Sequence, residues 1–139
     1  MPSPTYLDIE VSQVQGNIGL TNMSNPRHLD LTFSHVQDNM GLENMSDLKY
    51  LNLTVNQVKG NVCLANMIDL RYLELAISQV QYIVGLTNMS HTKYLDLIVS
   101  QVYGNMCLAN MSDPWYLDLT ISQVQGNDHS SLGTPNGMR

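Results

Sequence analysis

Apolar and polar positions along this chain repeat with one fixed spacing. The clearest block spells L-x-x-L-x-L-x-x-N-x-V through Leu48, Leu51, Leu53, Asn56 and Val58. A constant period of this length is typical of solenoids, in which each block forms one coil that packs only on its neighbours. One leucine marks the same point of every block, 22 residues apart, at Leu7, Leu29, Leu51, Leu73, Leu95 and Leu117.

Each block predicts one strand and one return. Leu51 and Leu53 alternate with polar residues, which is the period-two pattern of a strand with one buried face. Leu42, Met45 and Leu48 recur every three residues, which suits a short helical turn on the opposite side. We therefore expect an α/β solenoid, a right-handed stack of about six coils with one parallel β-sheet and short helical or extended returns. Glycines of one column are expected to reverse the chain with a positive φ, at Gly16, Gly60, Gly104 and Gly126.

The spacing resembles that of the leucine-rich-repeat family. The resemblance covers roughly residues 6 to 126, from Y-L-D-I-E-V-S-Q-V in the first block to Y-L-D-L-T-I-S-Q-V in the last. The segment Asn56-Gln57-Val58 with Leu64-Ala65-Asn66-Met67 is similar to the short bacterial and intracellular repeats, whereas Val58-Lys59-Gly60-Asn61-Val62 is similar to a plant-type repeat lacking two residues. The chain departs from the family where an asparagine column is usual, because five blocks carry serine there, at Ser12, Ser34, Ser78, Ser100 and Ser122. The resemblance implies a module for protein or peptide recognition.

Length and charge favour a single elongated domain. Of the 139 residues, 1–126 are interpreted as a leucine-rich-repeat solenoid without obvious caps, and 127–139 as a flexible C-terminal tail. A net charge of −6 with only six Lys and Arg argues against binding nucleic acid. No long apolar run and no leader sequence is visible, so we expect neither membrane insertion nor a signal peptide. Uncapped ends indicate either a piece of a longer array or self-association through those ends.

The cysteines and the glycosylation motifs favour different compartments. Cys63 and Cys107 lie two blocks apart, about 9 to 10 Å at the usual strand spacing, which is too far for a disulfide. We interpret them as small buried residues, with a reactive thiol as the alternative. Unpaired cysteines and the absent leader favour the cytoplasm. An extracellular fragment remains open because Asn-Met-Ser motifs are formal glycan acceptors, although copying of one ancestral repeat also explains them, at Asn22, Asn44, Asn88 and Asn110.

Two columns of the exposed sheet face are the main candidate binding residues. One is an aromatic column that includes Tyr50, Tyr72, Tyr94 and Tyr116, and the other is an acidic column that includes Glu74, Asp96 and Asp118. Together they suggest a face for a basic, extended partner. The alternative is structural, since tyrosine suits strands in general. With rings facing solvent, replacing Tyr72 or Tyr94 should weaken binding and change folding little.

Two further candidates depart from what a solvent-exposed repeat surface normally carries. Val55 and Ile77 belong to a column of bulky apolar residues just after the strand, which forms either an exposed apolar ridge for a partner or a buried row under the next coil. Trp115 stands where other blocks carry Lys or Arg. It is either a binding anchor or a cover for the end of the core.

Catalysis finds no support in the pattern, because like groups are spread along lines whereas an active site needs unlike groups converging on one point. We expect no enzyme activity, no cofactor and no metal site. The sequence therefore predicts protein or peptide recognition through the sheet face. The alternatives are a structural protein that stacks end to end, and a fragment of a secreted or cell-surface receptor ectodomain.

Overall fold

A computed structural model of the chain describes residues 6–21, 26–111 and 114–124. Within these ranges the regular secondary structure consists of eleven strands. Long and short strands alternate along the chain: β1 Tyr6–Val14, β2 Ile18–Thr21, β3 His28–Val36, β4 Met40–Glu43, β5 Tyr50–Val58, β6 Val62–Ala65, β7 Tyr72–Val80, β8 Val84–Met89, β9 Tyr94–Val102, β10 Met106–Met111 and β11 Tyr116–Val124.

The strands form two parallel sheets rather than the one expected. The long strands make a six-stranded sheet in the order β1-β3-β5-β7-β9-β11, and the short strands make a five-stranded sheet in the order β10-β8-β6-β4-β2. Every strand pairs with the equivalent strand of the next coil, so that Tyr50 pairs with Tyr72, Leu51 with Leu73 and Asn52 with Glu74. Equivalent residues therefore lie in columns that run across the coils at about 4.8 Å per step.

The expected helical return is wrong, and the extended alternative is correct. Val62 and Leu64 point inward from β6 while Cys63 and Ala65 point away from the core, which is strand alternation. The three-residue spacing that suggested a helix belongs to residues of two different elements: Leu42 lies in the short strand, and Met45 and Leu48 lie in the segment that follows it. Each inner return has an asparagine in the left-handed region, which asparagine tolerates better than most residues, at Asn44 (φ 58°), Asn66 (φ 60°), Asn88 (φ 59°) and Asn110 (φ 56°). The first two directly follow β4 and β6, and the last two lie near the ends of β8 and β10.

The described chain is thus a parallel β-solenoid of about five turns, with β11 following the last complete pair of strands. Its core lies between the two sheets and is continuous from coil to coil; Leu51, Leu53, Leu64 and Met67 are all fully buried. The C-terminal tail inferred from the sequence lies outside the described residues. No helix long and apolar enough to span a membrane occurs in the ranges described.

Two glycines of the column are required for close packing and not for a positive φ, whereas a Cβ on Gly16 would meet nothing within 4 Å. Neither Gly60 nor Gly104 adopts the left-handed conformation, but a Cβ on Gly60 would lie 2.5 Å from Asn39 Oδ1 and one on Gly104 would lie 2.2 Å from the carbonyl oxygen of Tyr82. Both distances are far below normal contact, so these glycines allow neighbouring coils to approach. Gly126 lies outside the described residues.

Candidate partner-binding face

Aromatic rings stack without interruption across the six long strands. Neighbouring ring centroids lie 3.9 to 4.4 Å apart. The rings are tilted at the β1 end, and the three tyrosine pairs from Tyr50 onward are stacked almost parallel, with interplanar angles of 5° to 7°. We call this column, formed by Tyr6, His28, Tyr50, Tyr72, Tyr94 and Tyr116, the aromatic ladder.

The stacking determines what the aromatic ladder can offer to a partner. Each inner ring covers the face of the next, so only the ring edges and the phenolic hydroxyls point away from the protein. The Tyr72 hydroxyl donates to Glu74 Oε1 at 3.4 Å, and the Tyr6 hydroxyl donates to Asp30. Burial is the largest cause that raises the pKa of Tyr72, and the hydrogen bond to Asp30 raises the pKa of Tyr6 to about 12. These hydroxyls therefore stay protonated at neutral pH and remain hydrogen-bond donors.

A column of carboxylates lies two residues further along the same strands. We call it the acidic column; it consists of Asp8, Asp30, Asn52, Glu74, Asp96 and Asp118, with Asn52 as its one neutral member. Like charges at about 4 to 5 Å repel by about 1 kcal/mol even in water. The strand pairing thus holds a row of negative charge on the outer face at a cost in free energy.

Asp96 is the most constrained member of the acidic column. It is only 8% exposed, although it lies on the outer face, and its Oδ1 atom accepts no hydrogen bond. Burial, followed by the charges of Asp118 and Glu74, raises the pKa of the Asp96 carboxyl. Asp30 Oδ1 also accepts no hydrogen bond, and His28 Nε2 lies 3.6 Å from it.

The face continues beyond the acidic column as a row of small polar side chains. A shallow groove of about 280 Å³ runs across the coils there. The serines and Asn56 of this groove form the column that departs from the family's asparagine, and the outward positions of all the lining residues named here follow from the period-two alternation of Leu51 and Leu53. The lining of the groove includes Thr32, Thr54, Ala76, Ile98, Ser34, Asn56, Ser78 and Ser100.

Val55 and Ile77 do not form the exposed apolar ridge that was one of the two expectations for their column. The alternative, a buried row, is confirmed for both residues. Val55 is 1% exposed and Ile77 is 2% exposed, and both lie in the core. The inward alternation of Leu51 and Leu53 continues to Val55, and the long strand departs from it only at Asn56, which is left out of the pairing register. A partner of the folded chain cannot contact Val55 or Ile77.

Trp115 lies on the surface at the last coil. Its side chain is 86% exposed, and Lys93 Nζ lies 5.6 Å from the ring centroid, within the range of a cation–π contact. Such exposure leaves little of the ring to cover the end of the core. Leu117, whose equivalents in the inner coils are fully buried, is 52% exposed on the same strand edge.

Side-chain amides form ladders that hold the coils in register. Gln57 Nε2 donates to Gln79 Oε1 at 3.0 Å, and Gln79 Nε2 donates to Gln101 Oε1 at 3.1 Å. The left-handed asparagines do the same, since Asn88 donates to Asn66 and accepts from Asn110. Asparagines of the Asn-Met-Ser motif thus have a structural role, which supports the interpretation that the motif was copied with the repeat.

The cysteines are not buried as expected. Cys63 is exposed and Cys107 is partly exposed, and both are free thiols. They share an outward column of the short-strand sheet with Gly85 between them, because β6 turns its valine and leucine inward and its cysteine outward. Burial of the thiol is the largest cause that raises the pKa of Cys63, which lowers its reactivity at neutral pH.

In the described part of the chain, no three His, Cys, Asp or Glu side chains are arranged to hold a metal ion.

No protein-family model matches this chain, and neither the curated proteins nor the solved structures contain a match to it. The geometry of the solenoid and of its outer face is therefore what a functional argument can use. That geometry identifies the chain as a repeat-based parallel β-solenoid with a period of 22 residues.

Proposed function

We propose that this protein is a non-enzymatic recognition module that binds a basic, extended protein or peptide segment on the outer face of its long-strand sheet. The observation that carries the proposal is the acidic column, and within it the buried and unpartnered carboxylate of Asp96. A basic side chain from a partner would supply the hydrogen-bond donor and the positive charge that this position lacks.

Electrostatics supports this choice of partner. Glu74, Asp96 and Asp118 lie on three consecutive strands, and among the described residues no basic side chain forms an ion pair with them. An arrangement that costs free energy in the isolated fold is better explained by binding than by stability. Charge complementarity of this kind mainly gives specificity and a fast association rate.

The aromatic ladder has a different role from the one first expected. Because the rings stack on one another, their faces are not available to a partner, and they act mainly as spacers that hold the coils together. The Tyr72 hydroxyl donates its single proton to Glu74, so it orients the acidic column, and its oxygen can still accept a hydrogen bond from a bound segment. We also propose that the chain is related to the leucine-rich repeats. The consensus of the long strand supports this relationship, whereas the extended return differs from a helical one.

Binding of basic peptides tests the proposal. We expect Asp96→Asn to weaken the binding of a fluorescent oligo-arginine peptide about fivefold and to flatten its dependence on salt. The matched control is Asp47→Asn, which removes the same charge from an exposed turn outside the face and should change affinity less than twofold. Equal effects of the two variants, or equal binding of an acidic peptide, would refute the proposal.

End-to-end stacking is the second candidate function. It is favoured by Leu117, which is half exposed at the edge of β11 although the same position is buried in the inner coils. A long-strand edge with exposed apolar residues can pair with another chain. Sedimentation velocity over a concentration series distinguishes the two candidates, since stacking produces species of increasing size without any added peptide.

A further inference from the structure

The spacing of the acidic column restricts the conformation of the segment that it can bind, and the argument rests on the proposed function. A segment that follows the column runs across the strands, so its basic side chains must match steps of about 4.8 Å or multiples of it. Asn52 interrupts the column. The column can be divided into two sets of alternate coils. One set contains Asp30, Glu74 and Asp118, and the other set contains the neutral Asn52. The first set offers three carboxylates at intervals of about 9.6 Å.

The three regular conformations of a peptide match this interval to different degrees. In an extended strand, side chains on one face recur about every 6.8 Å. This distance lies between the spacing of one coil, about 4.8 Å, and that of two coils, about 9.6 Å. An α-helical turn rises about 5.4 Å, so four turns overshoot the four steps from Asp30 to Asp118 by about 2.4 Å. A polyproline II helix has three residues per turn and rises about 9.3 Å, and over the same four steps its two turns fall short by only about 0.6 Å.

We infer that the outer face binds a polyproline II segment with an arginine or lysine at every third position, the basic side chains contacting Asp30, Glu74 and Asp118. Such a helix has no internal hydrogen bonds, so the N–H groups of its basic residues are free to donate to the phenolic oxygens of Tyr6 and Tyr72, whose own protons are donated to Asp30 and Glu74. A segment already held in this conformation also loses little entropy on binding.

Asp96 lies between two of these contacts and explains why arginine suits the site. The guanidinium group has five N–H donors in a planar fork, so an arginine bound at Glu74 or Asp118 has donors left for its neighbour. The terminal torsion of an aspartate is broad and nearly two-fold, and a small rotation would present the oxygen of Asp96 that has no hydrogen bond. A buried carboxylate without a partner points to a donor that arrives with a ligand.

Three peptides of equal charge test the inference by fluorescence anisotropy with the full chain. The first has four Arg-Pro-Pro triplets, the second has the same composition with its four arginines adjacent, and the third has four Arg-Gly-Gly triplets. We expect the first peptide to bind at least about tenfold more tightly than the second, because of spacing, and about fivefold more tightly than the third, because of conformation. Equal affinities, or tightest binding of the clustered peptide, would overturn the inference and leave the proposed function standing. No binding of any of them would refute both.

A pair of variants tests the register of the contact. Glu74→Gln should weaken binding of the Arg-Pro-Pro peptide about tenfold. Asp8→Asn removes the same charge from the same column but from the other set of positions, and it should change the affinity less than twofold. If the two variants weaken binding equally, the contact does not follow every second coil, and the inference fails.

Discussion

Each ring of the aromatic ladder should stabilise the solenoid in proportion to the number of rings on which it stacks. Tyr72 stacks on Tyr50 and Tyr94 with centroids 4.1 Å away on each side, whereas Tyr116 has one described ring neighbour at 4.3 Å. Each such pair contributes about 0.5–1.5 kcal/mol beyond the burial of area. We expect Tyr72→Ala to lower the free energy of unfolding by about 2–3 kcal/mol, and Tyr116→Ala by about 1 kcal/mol.

Urea unfolding followed by circular dichroism measures these differences as shifts of the transition midpoint at constant slope. Tyr72→Phe is the matched control, because it keeps the ring stack and removes only the 3.4 Å hydrogen bond to Glu74, for a cost below about 1 kcal/mol. The reasoning is refuted if Tyr72→Ala costs no more than Tyr116→Ala. The first expectation from sequence, that removing Tyr72 would change folding little, is replaced by this one because the inner rings are stacked and half-buried.

Three further predictions concern the acidic column and the contacts between coils. Because the folded state raises the pKa of Asp96, it binds the proton more tightly than the unfolded state. Asp96→Asn should therefore be more stable than the wild type at pH 7, and this gap should close as the pH falls to the unfolded pKa of about 4. Urea unfolding at both pH values measures the gap, and a gap independent of pH would contradict the assignment. Gly104→Ala should destabilise the fold by more than about 2 kcal/mol, since its Cβ would clash with the backbone of Tyr82, whereas Gly85→Ala, whose Cβ meets nothing within 4 Å, should be nearly neutral; thermal unfolding compares the two, and similar losses would contradict the packing argument. Asn66→Ala should cost about 1–3 kcal/mol because it loses both the left-handed preference and the amide ladder, while Asn66→Gly should recover the backbone part; equal unfolding midpoints for the two variants would show that the backbone conformation contributes nothing.

The sequence predicts the long strands well, because their signal is local. Leu51 and Leu53 alternate with outward residues, and the fixed period places every strand beside its equivalent, so the parallel register follows. The sequence leaves the return segment open between a helical and an extended form, because Leu42, Met45 and Leu48 at three-residue intervals fit a helical turn as well as a short strand followed by a left-handed asparagine. The conformation of Asn44 decides between them, and that conformation depends on stacking between coils.

The candidate face was predicted in its composition but not in its physics. Alternation alone places Tyr72 and Asp96 on the outer face. It does not reveal that the rings cover one another, or that the carboxylate of Asp96 is nearly inaccessible, because both properties depend on distances between side chains of different coils. For a related reason the sequence leaves Val55 open between an exposed ridge and a buried row, since it does not show where the long strand bends away from the core.

The glycine column gives the solenoid a larger structural unit than the single repeat. A Cβ on Gly60 would meet the backbone of Asp38, and one on Gly104 would meet the backbone of Tyr82; in sequence, a residue without a side chain alternates with a bulkier one from Gly16 to Gly104, and Gly126 ends the alternation. Removing the single coil that carries Gly60 would bring Tyr82 against Asp38, whereas removing two consecutive coils would preserve the alternation. The stretch from Gly16 to Gly104 should therefore tolerate the loss of two coils better than the loss of one.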